Sequence, residues 1–209
     1  MRAKVNPNRM ELIRLRRRYA LALRGHKMVK DKLEGLMKEF LDLSRDYKEI
    51  RAAVDRELPY LLRPFVSARL TSPKDAVNTA LEHSRRPLSL ELSHRRVLNV
   101  AIPAYSAILP PIPGYSLLDT AGDLDEAISR LRDYLPRLLR LAELEHSVWL
   151  LAREVEETRR RVNALEYVLI PELRAAIRFI KSRLDEMERF QISRLMKVKE
   201  ILESKRTAL

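Results

Sequence analysis

The chain has 209 residues, 46% hydrophobic and 33% charged, with a formal net charge of +12 at pH 7. It contains no Cys, which excludes disulfides and thiolate metal sites, and no apolar run approaches the ~18 residues of a membrane-spanning helix. Only 4 Gly and 6% aromatics, set among abundant Leu, Arg, Glu and Ala, disfavour a compact sheet domain and favour long helices.

The first element starts at Asn6-Pro7, an N-cap candidate followed by Pro at the first helical position, where its missing N–H costs nothing. From Leu12 every seventh residue reads Leu12, Tyr19, His26, Leu33, Phe40, Tyr47, Val54, Leu61. Three positions further on stand Leu15, Ala22, Val29, Leu36, Leu43, Ile50 and Glu57. Only His26 and Glu57 interrupt this apolar pattern, the signature of one coiled-coil helix roughly 75 Å long. Pro59 and Pro64 are expected to kink or end it. Gly25 costs about 1 kcal/mol relative to Ala in a helix, so close approach of a second helix or simple tolerance explains it. The same segment is strongly basic. Arg2, Lys4, Arg9, Arg14, Arg16, Arg17, Arg18, Arg24, Lys27, Lys30 and Lys32 face only Glu11 and Asp31 as acids within residues 1–32. Such an unbalanced face favours an anionic partner.

The middle of the chain, 70–118, is rich in Pro and reads as a small head. Leu88 to Leu92 alternates with period two, Val97 to Ile102 is rich in strand formers, and Ser93 to Arg96 is short enough for the loop of a β-hairpin. Asp119 or Thr120 is expected to cap the returning helix. That helix carries Leu131, Leu135, Leu138 and Ala142, then Val148, Leu151, Val155, Thr158, Val162, Leu165 and Leu169. It continues through Leu173, Ile177, Ile180, Leu184, Met187, Gln191, Leu195, Val198 and Leu202. The steps of four at 169, 173 and 177 form a stutter that locally unwinds a supercoil. Pro171 lies inside it and displaces the bond to the Tyr167 carbonyl, so a bend is expected there.

The predicted fold is therefore mainly α: a long antiparallel two-helix coiled coil with a small central head containing a β-hairpin. Its parts are an N-terminal coiled-coil helix in 1–69, the head in 70–118 with the hairpin near 88–102, and a C-terminal coiled-coil helix in 119–209. His26 and Gln191 read as seam residues that set register rather than as ligands. No catalytic constellation is present. There is no G-x-x-x-x-G-K-[ST] loop, no G-x-G-x-x-G and no nucleophile elbow. The four His (26, 83, 94, 146) lack metal-ligand spacing, so no metal or cofactor is expected. The basic N-terminus has no apolar signal region, and the chain is expected to be cytoplasmic.

Several motifs occur in a specific order. Asn6 to Leu12 reads N-P-x-R-M-E-L, Gly25 to Lys32 reads G-H-K-x-x-K-D-K, and Arg160 to Glu166 reads R-R-V-N-A-L-E. Ile170 to Ala175 reads I-P-x-L-R-A and Arg194 to Lys199 reads R-L-x-K-x-K. Together they resemble the D subunits of the V-type/A-type rotary ATPases, across both long helices and well over half the chain. The sequence departs from that pattern at Asn8, Leu33 and Phe190 to Ile192.

The resemblance implies a non-catalytic central-stalk rotor shaft that couples ATP hydrolysis or synthesis to ion translocation. Its implied partners are the catalytic and regulatory hexamer subunits, the F subunit of the stalk, and a funnel subunit joining the membrane rotor ring. Neither nucleic acid nor direct membrane insertion is implied, and the protein would be peripheral to the membrane. Arg9, Arg14, Arg16, Arg17, Arg18 and Arg24, with Arg178, Lys181, Arg183 and Arg194, become candidate contacts to acidic bearing loops of the hexamer. Pro171 becomes the candidate shaft bend, and the regions around 45–65 and 125–150 the candidate F-binding surface. A basic helical hairpin binding nucleic acid is the alternative. Residues 1–32 hold one aromatic, Tyr19, and so offer no base-stacking platform, though phosphate contact remains open to it.

Overall fold

The computed structural model describes residues 6–73, 75–83, 88–109, 111, 114 and 120–207. Its elements in order are α1 (Arg9–Thr71), α2 (Ala76–His83), β1 (Ser89–Val97), β2 (Val100–Ile108) and α3 (Asp123–Asn163). A π-helical turn (Ala164–Leu169) follows, and α4 (Ile170–Thr207) completes the chain. The residues form two compact units, one of 1–34 with 157–209 and the other of 35–156. Helices dominate, with a single two-stranded hairpin among the described residues, as the composition implied.

All fifteen heptad positions from Leu12 to Leu61 in α1 are buried or half-buried, so the seam read from spacing is the seam that packs. In the first unit Leu15 and Ala22 of α1 form a cluster with Leu173 and Ile180 of α4, flanked by Leu12, Tyr19, Ile177 and Leu184. The pairing is antiparallel. Fully burying each such side chain is worth about 1.5–3 kcal/mol. His26 sits on this seam, its side chain 19% exposed, with its Nε2 3.4 Å from Glu166. Gly25 has nothing within 4 Å of the place a Cβ would take. Close helix approach therefore does not explain it.

The C-terminal seam packs only as far as Leu184. Every residue from Asp185 to Glu203 is exposed, including Met187, Gln191, Leu195, Val198 and Leu202. The expectation that Gln191 sets register fails, because α1 begins at Arg9 and Arg9 already pairs with Glu188. Among the described residues, none lies opposite the last turns of α4.

In the second unit α1 continues through Pro59 and Pro64 to Thr71, so neither proline ends it. Packing on both sides of the prolines carries the helix across. Val54 and Leu61 cluster with Tyr134, Leu138 and Leu141, while Phe65 and Ala68 cluster with Val77, Ala80 and Leu124. Those contacts outweigh the ~3 kcal/mol that a helical proline costs. Glu57, the other break in the seam, pairs with Arg137 at 2.7 Å. In α3 the buried stripe is Tyr134, Leu141, Leu144, Ser147 and Leu151, not Leu131 and Ala142, which are exposed. Leucines at 131, 135, 138, 139, 141 and 144 offer two overlapping stripes, and the ring of Tyr134 selects the second. α3 starts at Asp123 with three acids in its first turn. Thr120 lies outside that turn, and Asp119 falls outside the described residues.

The hairpin is longer than expected and its loop lies elsewhere. Ser93 to Arg96 belong to β1, and the turn is Leu98-Asn99, with Val97 opposite Val100 and Ser89 opposite Ile108. Ser93 to Arg96 resemble a loop in composition because β1 is exposed and therefore polar. Leu98 takes φ 53 at the first central position of the turn. That conformation costs a side-chain-bearing residue roughly 1–2 kcal/mol. Its Cδ1 lies 3.5 Å from where a Cβ on Gly35 would stand, so the bare glycine of α1 receives the hairpin tip. Ile102 and Pro103 are buried and Tyr105 hydrogen-bonds His146 of α3 at 3.0 Å, which makes β2 the covered strand.

Candidate functional site

The helical seam leaves the basic residues outward. Arg9, Arg14, Arg16, Arg17, Arg18 and Arg24 are all exposed on α1, as are Arg178, Lys181, Arg183 and Arg194 on α4; Arg2 and Lys4 lie outside the described residues. At about 100° per residue, Arg9 and Arg16 fall on one flank of the seam, Arg14 and Arg18 on the other, and Arg17 and Arg24 opposite it. Outside the apolar seam the charge wraps α1 as a collar; it does not line one face. Three of the ten cations are engaged within the chain: Arg9 with Glu188, Arg14 with Glu11 at 3.7 Å, and Arg183 with Glu186 at 2.9 Å. Among the described residues Arg16, Arg17, Arg18 and Arg24 meet no carboxylate at ion-pair distance. Their charge is available to a partner.

Pro171 is exposed two residues beyond the end of the π-turn. There the Ile170 N–H donates to the Leu165 carbonyl, a five-residue step in place of the usual four. Two features call for that wider turn. Pro171 has no N–H to give the Tyr167 carbonyl. The seam positions Leu165, Leu169, Leu173 and Ile177 are spaced by four, more than the 3.6 residues of an α-turn, so one extra residue has to be absorbed. The π-turn itself buries no residue, leaving Tyr167 and Val168 exposed. Arg174 beyond it donates to the Tyr19 hydroxyl at 3.0 Å, with its guanidinium 5.9 Å from that ring.

In the second unit the buried Tyr134 hydroxyl lies beside Glu57 without meeting hydrogen-bond geometry. Burial first, and the Glu57 carboxylate second, hold its proton above the ordinary tyrosine range. Among the described residues no three His, Asp or Glu side chains group as a metal site, and no helix is long and apolar enough to cross a membrane. What the site offers is surface: a basic collar on α1, an unopposed end of α4, and the π-turn that leads into α4.

Residues 11–200 match the sequence model of the family described as the ATP synthase D subunit. The chain belongs to that family. A V-type ATP synthase D subunit from Acetivibrio thermocellus is 45% identical over 204 residues, covering 95% of this chain and 92% of that protein. One from Clostridium novyi (strain NT) is 40% identical over 214 residues, covering 100% and 99%. A third, from Clostridium botulinum (strain Alaska E43 / Type E3), is 39% identical over 211 residues, covering 96% and 97%. The likeness to these relatives runs through the hairpin as well as the helices, so the Pro-rich middle belongs to the family pattern and not to an insertion. Sequence reasoning missed three features: α2, the π-turn and the extension of β1 beyond Leu92 through Ser93 to Val97. The run of four-residue steps was the available signal for the π-turn.

Proposed function

We propose that this chain is the central rotor shaft of a V/A-type rotary ATPase, a non-catalytic subunit that couples nucleotide turnover in a hexamer to ion movement through a membrane ring. End-to-end likeness to the D subunits of V-type ATP synthases carries this reading. The collar and the unopposed α4 end support it physically. A shaft inside a ring needs charge on every side of its axis, since each arginine passes each ring subunit in turn. It also needs a departure from rotational symmetry, because a rod that bound all ring states equally would shift none of them. The π-turn before Pro171 supplies one, and Pro171 is the proposed bend.

The proposed bearing contacts are Arg16, Arg17, Arg18 and Arg24, with Arg178, Lys181 and Arg194; Arg9, Arg14 and Arg183 contribute less because they already have carboxylate partners. The bearing loops they meet belong to the catalytic and regulatory subunits and carry carboxylates. The F subunit docks around 45–65 and 125–150, and the funnel subunit links the shaft to the ring. The protein lies at the cytoplasmic face of the membrane as part of that complex.

The experiment is reconstitution with the two hexamer subunits, comparing wild type with a variant carrying Arg→Gln at 16, 17, 18 and 24. At a few tenths of a kcal/mol per exposed charge, hexamer binding should weaken about tenfold at ~0.1 M salt, with a flatter salt dependence. Unchanged affinity and salt slope would remove the bearing role. Failure of wild type to bind the hexamer at all would remove the shaft reading.

A further inference from the structure

We propose that β1 is a strand-addition site for an extended, carboxylate-bearing segment of another protein. The argument rests on the hairpin and the α3 side chains beside it, and stands whether or not the shaft reading holds.

Register and turn define the free edge. With a two-residue turn closing the pair Val97 and Val100, the hydrogen-bonded pairs are 97 with 100, 95 with 102, 93 with 104, 91 with 106 and 89 with 108. The alternate residues turn their backbone N–H and C=O away from the partner strand. On β2 that outer edge includes Pro103, which has no N–H, and Ile102 and Pro103 are buried. That edge is closed. On β1 it consists of Leu90, Leu92, His94 and Arg96, four residues with no proline among them, and every residue from Ser89 to Arg96 is exposed. Proline, bulges and charge are the usual devices that blunt an unpaired edge; here the register is unbroken and the basic edge residues, His94 and Arg96, stand only at the turn end, leaving Leu90 and Leu92 open.

The side chains beside the edge suit an incoming strand. Leu90 and Leu92 are 49% and 56% exposed. Leu92 stands opposite Tyr105, whose hydroxyl meets His146, and the His146 ring lies 6.3 Å from the ring of Trp149. An apolar and aromatic ledge thus continues from β1 onto α3, ending at a Trp that is 58% exposed. Large aromatics on a surface are the usual anchors of interfaces. Charge selects the occupant. His94, Arg95 and Arg96 crowd the turn end of β1, and Arg153 lies over the Trp149 ring at 6.0 Å, against Glu91 alone on the strand. A second copy of this chain would bring Leu92 against His94 and Leu90 against Arg96 in the symmetric antiparallel register, setting basic ends over apolar ones. An extended segment with alternating apolar residues and carboxylates fits both features.

The test uses the full chain and a blocked synthetic peptide of about nine residues alternating Val and Glu, N-methylated along one edge to prevent self-stacking. Trp149 is the only Trp, so its fluorescence reports binding directly. Saturable binding, slowed amide exchange at Leu90, Leu92, His94 and Arg96, and at least tenfold weaker binding of the matching Val/Lys peptide are expected. Leu92→Pro deletes one outward N–H at a position where the hairpin itself donates nothing. It should weaken binding about tenfold with an unchanged circular dichroism spectrum. Arg95→Glu with Arg96→Glu should invert the preference toward the Val/Lys peptide, a readout that survives if the proline variant misfolds. No binding at millimolar peptide, equal binding of both peptides, binding without protection at those amides, or concentration-dependent dimerisation of the chain through β1 would each overturn the proposal.

Discussion

Among the described residues two polar side chains are buried in the helical seams, and their different circumstances make opposite demands on substitution. Ser147 is 2% exposed and donates from Oγ to the Glu143 carbonyl at 2.6 Å. Thr158 is 1% exposed and its Oγ1 has no partner among the described residues. A buried hydroxyl left unpaired costs roughly 1–3 kcal/mol of desolvation. Valine keeps the shape of threonine and has nearly the same helix propensity, so Thr158→Val removes the penalty without leaving a hole. We expect a gain of about 1–2 kcal/mol, equivalent to about 2–8 °C in Tm for a chain of this size. Thr158→Ser keeps the orphaned hydroxyl and deletes a buried methyl, and should lose about 1 kcal/mol. Ser147→Ala, which breaks a satisfied bond, should show no comparable gain. Urea denaturation followed by circular dichroism measures all three. A valine variant no more stable than wild type, together with a harmless serine, would mean that the hydroxyl is satisfied and the reasoning is wrong.

Gly25→Ala should stabilise the chain by about 0.5–1 kcal/mol, because the position is helical with open space around it; a loss in the same urea assay would point to a tight contact at that site. Ending the chain after Arg189 removes only exposed residues among those described and should leave Tm within about 2 °C, whereas a fall beyond about 5 °C would show that the end of α4 packs on something. Tyr134 makes an alkaline prediction. Its proton is held more tightly in the folded chain than in the unfolded one, so stability falls as pH climbs above the ordinary tyrosine value of 10.0. Tyr134→Phe should lose less stability between about pH 8 and about pH 11 than wild type, and parallel declines in urea midpoint would refute it.

Much of this architecture could be read from spacing, for a physical reason. A heptad stripe states which side of a helix must be covered, and α1 is covered along all of it. What spacing does not state is where cover ends. Gln191, Leu195 and Val198 continue the stripe that Ile180 and Leu184 belong to, yet nothing described lies opposite them, because helix starts depend on the partner and not on the stripe. Local propensity misled where packing overrode it. Pro59 and Pro64 are helix breakers held in a helix by clusters on either side. Leu98 is a poor turn residue held in one by its contact beside Gly35. Arg95 and Arg96 were legible as polar but not as strand, since an exposed edge and a loop look alike in composition. The basic residues were legible individually; that they surround α1 follows once the seam direction is known.

The π-turn has a consequence for insertions and deletions. Removing a single residue between Ala164 and Leu169 would let the helix close at ordinary pitch, and the backbone would tolerate it. Because the wide turn already absorbs that residue, everything downstream would keep close to its present bearing and draw in by about 1.5 Å. The same deletion made beyond Ile170, where no wide turn absorbs it, would swing Phe190 and Leu195 about 100° round the helix axis, while the composition of the tail stayed almost untouched. For any partner that reads the far end of α4, the place where a length change falls therefore outranks residue identity.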